Sequence, residues 1–447
     1  MANSYLTRTP SSGGNRKTFT ISSWFKRSKL GATQILVQAA TDGSTRSQIT
    51  LRSDEMLQFY SENGGVQKIN VRTTRVLRDT SAWYHVVVAV DTTQGTASNR
   101  VKIYINGVQE TSLNITVYGD QNYDTQFNHT VAHTIGRRDA YGDMYFEGYQ
   151  SHFALVDGTA LTPTSFGSTD STSGIWKFKP PSGITWGTNG VHLKFESSGN
   201  LGLDSSGQTN NFTVNGNLKQ ALDTPSNVHA TLNPLDKSIY GTAPTISNGN
   251  NSYQSSGAGV GNNNAVRGTL GVSSGKWYWE AKYAAAYATL WGMQDPELGL
   301  GWNNNGYWFT ASGSYGVDQS GSKTINGSTS SSFSAMSAGN IIGLAYDLDN
   351  GKFYVSVNGT FVTSGDPTSG ATGTGAIGDI PTGKFYLPIV GNGDYGSSSL
   401  THLNFGNGFF GTTAITSAGS NGNGSLFEYD VPSGYYALNT KNINTYG

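Results

Sequence analysis

The sequence predicts an all-β protein made of two antiparallel, jelly-roll-like β-sandwich domains joined by a loop-rich connector. Short apolar and aromatic runs alternate with Gly, Ser, Asn and Asp turns along the whole chain, which is typical of hairpins. Aromatic residues make up 12% of the 447 residues, enough to fill buried cores that disordered chains lack. No long segment shows the 3.6-residue period of an amphipathic helix.

Residues 1–158 carry the pattern of the first sandwich. Phe19–Lys26 alternates apolar and polar side chains, and Trp83–Asp91 is a long β-branched run. Val101–Ile105 is followed by Asn106 and Gly107, a pair that tolerates the positive φ angles of a type I′ hairpin turn. These segments predict strands of one antiparallel sandwich.

Residues 159–237 are predicted to form an ordered connector. The segment Leu161–Phe166 fits one helical turn with Pro163 at its first position. Trp176 and Trp186 stand among turn residues, whereas a free linker is mostly Gly and Ser or charged. We therefore expect the connector to pack on its neighbours.

Residues 238–447 are predicted to form the second sandwich, with a C-terminal tail. Lys276–Glu280, Asn340–Tyr346 and Lys352–Val357 have the composition of strands. The pairs Asn350-Gly351 and Asn358-Gly359 supply further hairpin turns.

Composition excludes several functional classes. The formal net charge of -1 gives no basic surplus for holding a phosphate backbone, so we expect no nucleic-acid partner. The absence of cysteine excludes disulfides and cysteine nucleophiles. No apolar run approaches the length of a membrane helix, so we expect no membrane insertion. Met1–Tyr5 has neither a basic nor an apolar signal region, which predicts cytoplasmic synthesis without a signal peptide.

Acidic residues do not form a recognisable catalytic pair. Glycoside hydrolases need two carboxylates roughly 5–9.5 Å apart across one sugar. Asp295 and Glu297 flank a proline in a predicted loop, and Asp54 and Glu55 are adjacent, so a strand would point them to opposite faces. The sequence therefore predicts no enzyme and no catalytic residues.

Two families share motifs with the two sandwich regions. The first region resembles a laminin-G-like, or concanavalin-A-like, domain through Phe19–Lys26, Trp83–Asp91 and Val101–Val108. The last region resembles a SPRY domain through Ser274–Glu280, Leu298–Trp302 and Gly339–Gly359, with Asn340 where that family usually has Asp.

The pairing of these domains, together with Thr231–Asp236, is similar to structural proteins of tailed bacteriophages, particularly marine ones. The resemblance implies a surface-exposed virion protein that contacts other virion proteins. A tail-fibre or receptor-binding protein that recognises a host glycan or protein through its loops is the first interpretation. A capsid-decoration or head-fibre protein is the alternative, and a carbohydrate-active enzyme is the third. Such proteins are commonly homo-oligomers, with trimers frequent among fibres, although this chain has no coiled-coil pattern to enforce one.

Aromatic residues in predicted loops are the candidate ligand-binding residues, because aromatic planes flanked by amides suit the faces and edges of sugars. Core packing is the alternative for each of them. The candidates are Trp291, Trp302, Asn303, Asn304, Asn305 and Tyr307 in the second region, and Tyr118 and Tyr123 in the first.

Calcium is the one cofactor that the resemblance suggests, since laminin-G-like domains sometimes hold Ca²⁺ at the rim of the sandwich through oxygen ligands. Asp120, Asp124 and Asp143 lie in loops near the expected rim. The alternative is that they are solvated loop acids, in which case the protein has no cofactor.

Overall fold

The computed structural model describes residues 3–238, 243–255, 264–285, 289–298, 312–392 and 398–447. The chain divides into two compact units, Met1–Gln220 and Ala221–Gly447. Both units are built from antiparallel sheets, and the predicted all-β fold class is confirmed. Among the described residues, no helix has the length and apolar character needed to cross a membrane.

The first unit contains strands β1–β16 and two short 3₁₀ helices, Ala97–Asn99 and Pro163–Ser165. The strands are β1 (Tyr5–Arg8), β2 (Thr18–Arg27), β3 (Gln34–Ala40), β4 (Arg46–Leu51), β5 (Met56–Asn63), β6 (Val66–Val76), β7 (Trp83–Asp91), β8 (Val101–Ile105), β9 (Val108–Gln109), β10 (Leu113–Val117), β11 (Ala132–Ile135), β12 (Gly148–Asp157), β13 (Gly167–Thr169), β14 (Trp176–Phe178), β15 (Val191–Leu193) and β16 (Thr213–Asn215).

Two sheets face each other across the core of the first unit. The large sheet has eight strands in the order β10-β6-β5-β4-β3-β11-β1-β16, and the small sheet has six in the order β15-β12-β2-β7-β8-β9. Phe19, Phe59, Val88 and Ile103 are among the buried side chains between them. The predicted turn after β8 is confirmed, because Asn106 and Gly107 have φ angles of 48° and 82°.

The region predicted as a connector is divided between the units. Residues 159–220 lie in the first unit and residues 221–237 in the second. β15 pairs with β12, β16 pairs with β1, and Phe212 enters the core of the first unit. Short strands that pair with both sheets therefore make residues 159–220 part of the sandwich, so the division of the chain falls at residue 220 instead of flanking a separate connector.

The second unit contains strands β17–β34, the helix α1 (Thr440–Tyr446) and 3₁₀ helices at Pro296–Leu298, Val362–Ser364 and Pro367–Thr372. The strands are β17 (Leu232–Ser238), β18 (Thr245–Ser247), β19 (Ser252–Gln254), β20 (Ala265–Gly268), β21 (Lys276–Ala285), β22 (Thr289–Gln294), β23 (Ser314–Asp318), β24 (Ser322–Ile325), β25 (Ser328–Ser331), β26 (Ile341–Asp347), β27 (Lys352–Val357), β28 (Thr360–Phe361), β29 (Gly378–Asp379), β30 (Leu387–Asn392), β31 (Leu400–Asn404), β32 (Phe409–Phe410), β33 (Thr413–Ala414) and β34 (Tyr436–Ala437).

Two sheets also enclose the core of the second unit. One has the strand order β17-β20-β30-β22-β23-β24-β25, and the other has β18-β19-β31-β21-β26-β27-β28 with β29 on β27 and β34 on β21. Trp277, Trp279 and Tyr346 are completely buried between them. The predicted strands at Lys276, Asn340 and Lys352 correspond to β21, β26 and β27.

Candidate functional site

The outer surface of the large sheet carries a continuous set of polar side chains. Strand alternation explains it: in β4, Ile49 and Leu51 point into the core, so Gln48 and Thr50 point outward. We call nine polar outward residues of β3–β6 the polar face: Gln38, Arg46, Gln48, Thr50, Gln58, Tyr60, Glu62, Asn70 and Arg72.

Strand register aligns the polar face into rows. Asn70 lies opposite Tyr60, Tyr60 opposite Gln48, and Gln48 opposite Gln38. On the other neighbour of β3, Thr134 of β11 lies opposite Gln38, so the row crosses the five strands β6, β5, β4, β3 and β11. Directly opposed residues in antiparallel strands are close enough for their side chains to interact.

Hydrogen bonds between the amides fix the conformations of these side chains. Gln38 Nε2 donates to Gln48 Oε1 at 2.8 Å, and Gln48 Nε2 donates to Thr50 Oγ1 at 3.0 Å. Gln58 Nε2 donates to Asn70 Oδ1 at 2.6 Å. The amide groups are therefore held in place before any ligand arrives, and Gln48, Gln58 and Asn70 reach solvent only at their edges, with 8%, 6% and 7% exposure.

One end of the polar face holds an aromatic ring between charges. The Tyr60 hydroxyl donates to Glu62 Oε2 at 2.7 Å, and Arg46 Nη1 is 2.5 Å from Glu62 Oε1. The Arg46 guanidinium also lies over the Tyr60 ring, 5.7 Å from its centre. Burial and then the hydrogen bond to the Glu62 carboxylate raise the pKa of Tyr60 to about 12, so the hydroxyl remains a donor at neutral pH.

A loop between β11 and β12 borders the polar face. The backbone N–H of Asp139 donates to Gln38 Oε1 at 2.8 Å, which ties the loop to the row. Arg138 binds the Asp143 carboxylate through Nε at 2.7 Å and Nη2 at 2.5 Å, and its guanidinium is 4.3 Å from the centre of the Tyr141 ring. Tyr141 is 62% exposed, so the loop that borders the polar face presents an aromatic ring to solvent.

The outer surface of the small sheet is different, because residues from 161 to 190 cover it. His85 is completely buried, accepts a hydrogen bond from Trp176 Nε1 at 2.9 Å and stacks on Trp24. The ring of His152 stacks on Phe178, with ring centres 3.7 Å apart. The ring centre of His192 lies 5.8 Å from that of His152. This surface is a second packed layer and offers no open binding face.

A small cavity near the end of β15 is a weaker candidate. Its volume is about 190 Å³, and Lys194, Phe195, Asn200 and Leu203 are among its lining residues. Ligand pockets usually enclose roughly 300–1,000 Å³. The polar face is therefore the better candidate for a binding surface.

The prediction that Trp291 is exposed in a loop is wrong. Trp291 lies in β22, is completely buried, and donates from Nε1 to Thr401 Oγ1 at 3.0 Å. Its ring packs edge-on against Tyr283. Burial of a large aromatic ring with a satisfied N–H makes it a core residue.

The remaining aromatic candidates have different outcomes. Trp302, Asn303, Asn304, Asn305 and Tyr307 lie outside the described residues. Tyr118 and Tyr123 are half-buried and pack against the core of the first unit.

The Tyr123 hydroxyl lies 3.1 Å from Ser61 Oγ, on the inward side of β5. This pair of tyrosines therefore does not present an open aromatic platform.

The candidate calcium ligands are not brought together. Asp120 and Asp124 are exposed in one loop, whereas Asp143 is engaged by Arg138 in the loop beside the polar face. Within the described part of the chain, no group of three His, Cys, Asp or Glu side chains could hold a metal ion. Calcium binding by these three carboxylates is not supported by the geometry.

Sequence reasoning missed the polar face. The alternation in Gln48–Arg52 and Met56–Tyr60 shows that each strand has one polar side. Strand order and register, which join these separate sides into rows, become visible only in the folded sheet. A search for outward Gln, Asn, Tyr and Arg on consecutive predicted strands could have found the set.

Comparisons with known proteins found one family model and several solved structures that are similar to parts of the chain. No curated protein matches it. The SPRY domain of human HERC1 is 15% identical, with 38% of this chain and 96% of that chain covered and a TM-score of 0.30. A SAP-like pentraxin from Limulus polyphemus is 16% identical, with 47% and 88% covered and a TM-score of 0.29.

The CBM40 of the Ruminococcus gnavus IT-sialidase, solved with α2,3-sialyllactose, is 14% identical, with 30% and 71% covered and a TM-score of 0.23. The family model Laminin_G_3, described as the concanavalin A-like lectin/glucanases superfamily, matches residues 2–165. Residues 2–165, which carry the polar face, are therefore similar to concanavalin A-like lectin and glucanase domains.

Proposed function

We propose that the protein is a non-enzymatic carbohydrate-binding protein that uses the polar face to hold a glycan. The observation that carries this proposal is the hydrogen-bonded row of amide and aromatic side chains across β3–β6. The match of residues 2–165 to a superfamily of lectins and glucanases supports it.

The chemistry of the polar face suits a sugar. Amide and guanidinium groups donate and accept hydrogen bonds at the hydroxyl edges of a pyranose, and the ring of Tyr60 or Tyr141 offers a surface for its apolar side. Because the amides already bond to one another, little side-chain entropy is lost when a ligand binds. Gln38 and Thr134 are completely buried, so a sugar would contact the row at Asn70, Tyr60 and Gln48, on three adjacent strands.

The environments of Glu62 on the polar face and of Asp54 beside it favour binding over hydrolysis. Glu62 pairs with Arg46, and Asp54 lies between two arginines. A glycosidase needs one free acid to protonate the leaving group and a second carboxylate across the sugar. Carboxylates that arginines already occupy are poorly suited to either role.

We place this binding activity on the surface of a bacteriophage virion. The pairing of a laminin-G-like with a SPRY-like region, and the segment Thr231–Asp236, support that placement. The protein would act as a tail-fibre or receptor-binding protein that is made in the host cytoplasm, assembles as a homo-oligomer with other virion proteins and recognises a host glycan. A capsid-decoration protein is the second candidate, and imaging the intact particle by cryo-electron microscopy distinguishes a tail from a head location.

Replacing Tyr60 with Ala is expected to weaken glycan binding about tenfold or more, since it removes both the ring and the hydroxyl from the row. A glycan array followed by titration of the tightest ligand measures the effect. Tyr60→Phe should bind within about threefold of the wild type if the ring supplies most of the contact.

Tyr446→Ala is the matched control, because Tyr446 is a partly exposed tyrosine of the second unit. It should bind like the wild type. Unchanged binding by folded Tyr60→Ala protein would contradict the proposal, and so would an equal loss in the Tyr446→Ala control.

A further inference from the structure

Two arginines share one carboxylate next to the polar face. Asp54 Oδ2 lies 3.3 Å from Arg52 Nε and 3.4 Å from Arg72 Nη1. Asp54 sits in the turn between β4 and β5, where its Oδ1 accepts a hydrogen bond from the backbone N–H of Met56 at 3.3 Å. We call Arg52 and Arg72 the arginine pair.

The other contacts of the arginine pair are with neutral groups. Arg72 Nε donates to Asn114 Oδ1 at 2.9 Å, and Arg52 Nη1 donates to Gln58 Oε1 at 3.5 Å. The arginine pair with Asp54 therefore carries a net charge of about +1 at neutral pH, since arginine stays protonated.

Three other arginines of the first unit are each neutralised by one carboxylate. Arg46 pairs with Glu62, Arg75 with Glu110, and Arg138 with Asp143. The arginine pair thus differs from these three arginines in carrying excess positive charge, in a chain whose formal net charge is -1.

Arg52 and Asp54 are accessible to solvent, whereas Arg72 is mostly buried. The side chain of Arg52 is 33% exposed, that of Arg72 is 17% exposed, and that of Asp54 is 40% exposed. Gln58 connects the pair to the row, because it touches Arg52 and also donates to Asn70. A ligand that lies along the row therefore reaches the guanidinium groups without crossing another element of the sheet.

We infer that the arginine pair is a subsite for an acidic group of the glycan, a carboxylate or a sulfate ester. This inference rests on the proposed function of the polar face. A guanidinium presents parallel N–H donors that match two oxygens of a carboxylate or a sulfate. Because the arginine pair adjoins the proposed glycan-binding face through Gln58, the favoured ligand is an anionic polysaccharide.

Dextran, carboxymethyl-dextran and dextran sulfate test this inference, because they share one backbone and differ in the charged group. Binding of the whole chain is measured by biolayer interferometry at low salt. We expect the wild type to bind at least one of the two anionic polymers about tenfold more tightly than neutral dextran. The difference between the two anionic polymers identifies carboxylate or sulfate as the preferred group.

The double variant Arg52→Gln, Arg72→Gln should lose the preference for the anionic polymers. Lys102→Gln is the control: it removes one positive charge from β8 of the small sheet, away from the polar face, and should keep the preference. Raising the salt concentration should weaken the preference in the wild type, since the subsite is solvent-exposed.

Three results would overturn the subsite. The first is equal binding of all three polymers by the wild type. The second is a loss of the anionic preference in the Lys102→Gln control as large as that in the double variant. The third is tighter binding of a single-stranded oligonucleotide than of either anionic polymer. Binding of neutral array glycans that depends on Tyr60 but shows no anionic preference would refute only the subsite. Loss of the dependence on Tyr60 would refute the proposed function itself.

Discussion

Replacing Glu280 with Ala is expected to destabilise the second unit by about 3–5 kcal/mol, since it removes the shared acceptor of several buried donors. Glu280 lies in β21 and is completely buried. Its Oε2 accepts from the backbone N–H of Glu428 and its Oε1 from that of Tyr429, both at 2.9 Å. The Tyr278 hydroxyl, at 3.2 Å from Oε1, and Asn404 Nδ2, at 3.4 Å from Oε2, complete the set.

The same carboxyl group makes the stability of the second unit depend on pH. Burial raises the pKa of Glu280 to about 7, although the backbone N–H donors oppose the shift. The folded state holds the Glu280 proton more tightly than the unfolded state. The stabilisation that comes from this difference is therefore complete below the ordinary pKa of 4.5, and it is lost as the pH rises through about 7. The loss amounts to about 3 kcal/mol.

Hydrogen exchange of the whole chain, corrected for intrinsic exchange rates, measures this effect in peptides covering β21 and residues 425–431. We expect stronger protection at pH 5.5 than at pH 8 in the wild type. Glu280→Gln keeps a side-chain acceptor but cannot ionise, so the pH dependence of these peptides should shrink. A Gln variant with the wild-type pH dependence would show that another group is responsible.

Acidification is expected to act in the opposite direction on the first unit. Burial lowers the pKa of His85 to about 3 and the pKa values of His133, His152 and His192 to about 4. In the unfolded state each of these histidines takes up its proton near pH 6.5. The stabilisation that comes from keeping them neutral in the folded state is therefore complete above that pH and is lost as the pH falls towards 4. Between pH 7.5 and pH 5, each fully buried histidine removes about 2 kcal/mol.

The variant His192→Phe isolates one of these contributions. Its aromatic ring can keep the stack on Trp186, while the titrating group is gone. Peptides from β7 and β12 should lose less protection between pH 7.5 and pH 5 than in the wild type. His129→Phe, at a half-exposed loop position, is the control and should keep most of the wild-type slope.

If hydrogen-exchange protection of the first unit in the wild type is the same at pH 5 as at pH 7.5, the buried histidines do not make its stability depend on pH. Because Glu280 and the four histidines are expected to respond to pH with opposite signs, the peptides around each serve as an internal reference for the other in one experiment.

Strands with strong local signals could be predicted from the sequence. The β-branched run Trp83–Asp91 became β7 with those bounds, and the turn at Asn106 and Gly107 has the positive φ angles that a hairpin requires. These elements are set by residues close together in the chain. The chain division at residue 220 was not predictable in this way, because it depends on the distant pairings of β15 and β16.

Trp291 shows why exposure was harder to predict. It stands in a short strand, Thr289–Gln294, in which all six residues are buried and the apolar-polar alternation is absent. A strand covered on both sides gives no period that separates core from surface. Its burial comes from the facing sheet, where Tyr283 of β21 packs against the ring and Thr401 of β31 accepts its N–H.

The polar face was missed for a related reason. Gln38, Gln48 and Tyr60 lie on three different strands, and only the register places them in one row. The charge excess at Arg52 and Arg72 likewise depends on a turn that brings Asp54 between them. Local sequence shows which side chains point outward, whereas the sheet decides which of them form a site.

A crystal structure of the protein with its tightest-binding array glycan tests the central claim most directly. The account predicts a sugar within hydrogen-bond distance of Gln48, Gln58 or Tyr60 on the outer side of the large sheet. A glycan bound only to the second unit or to the small sheet, with these side chains unoccupied, would contradict it.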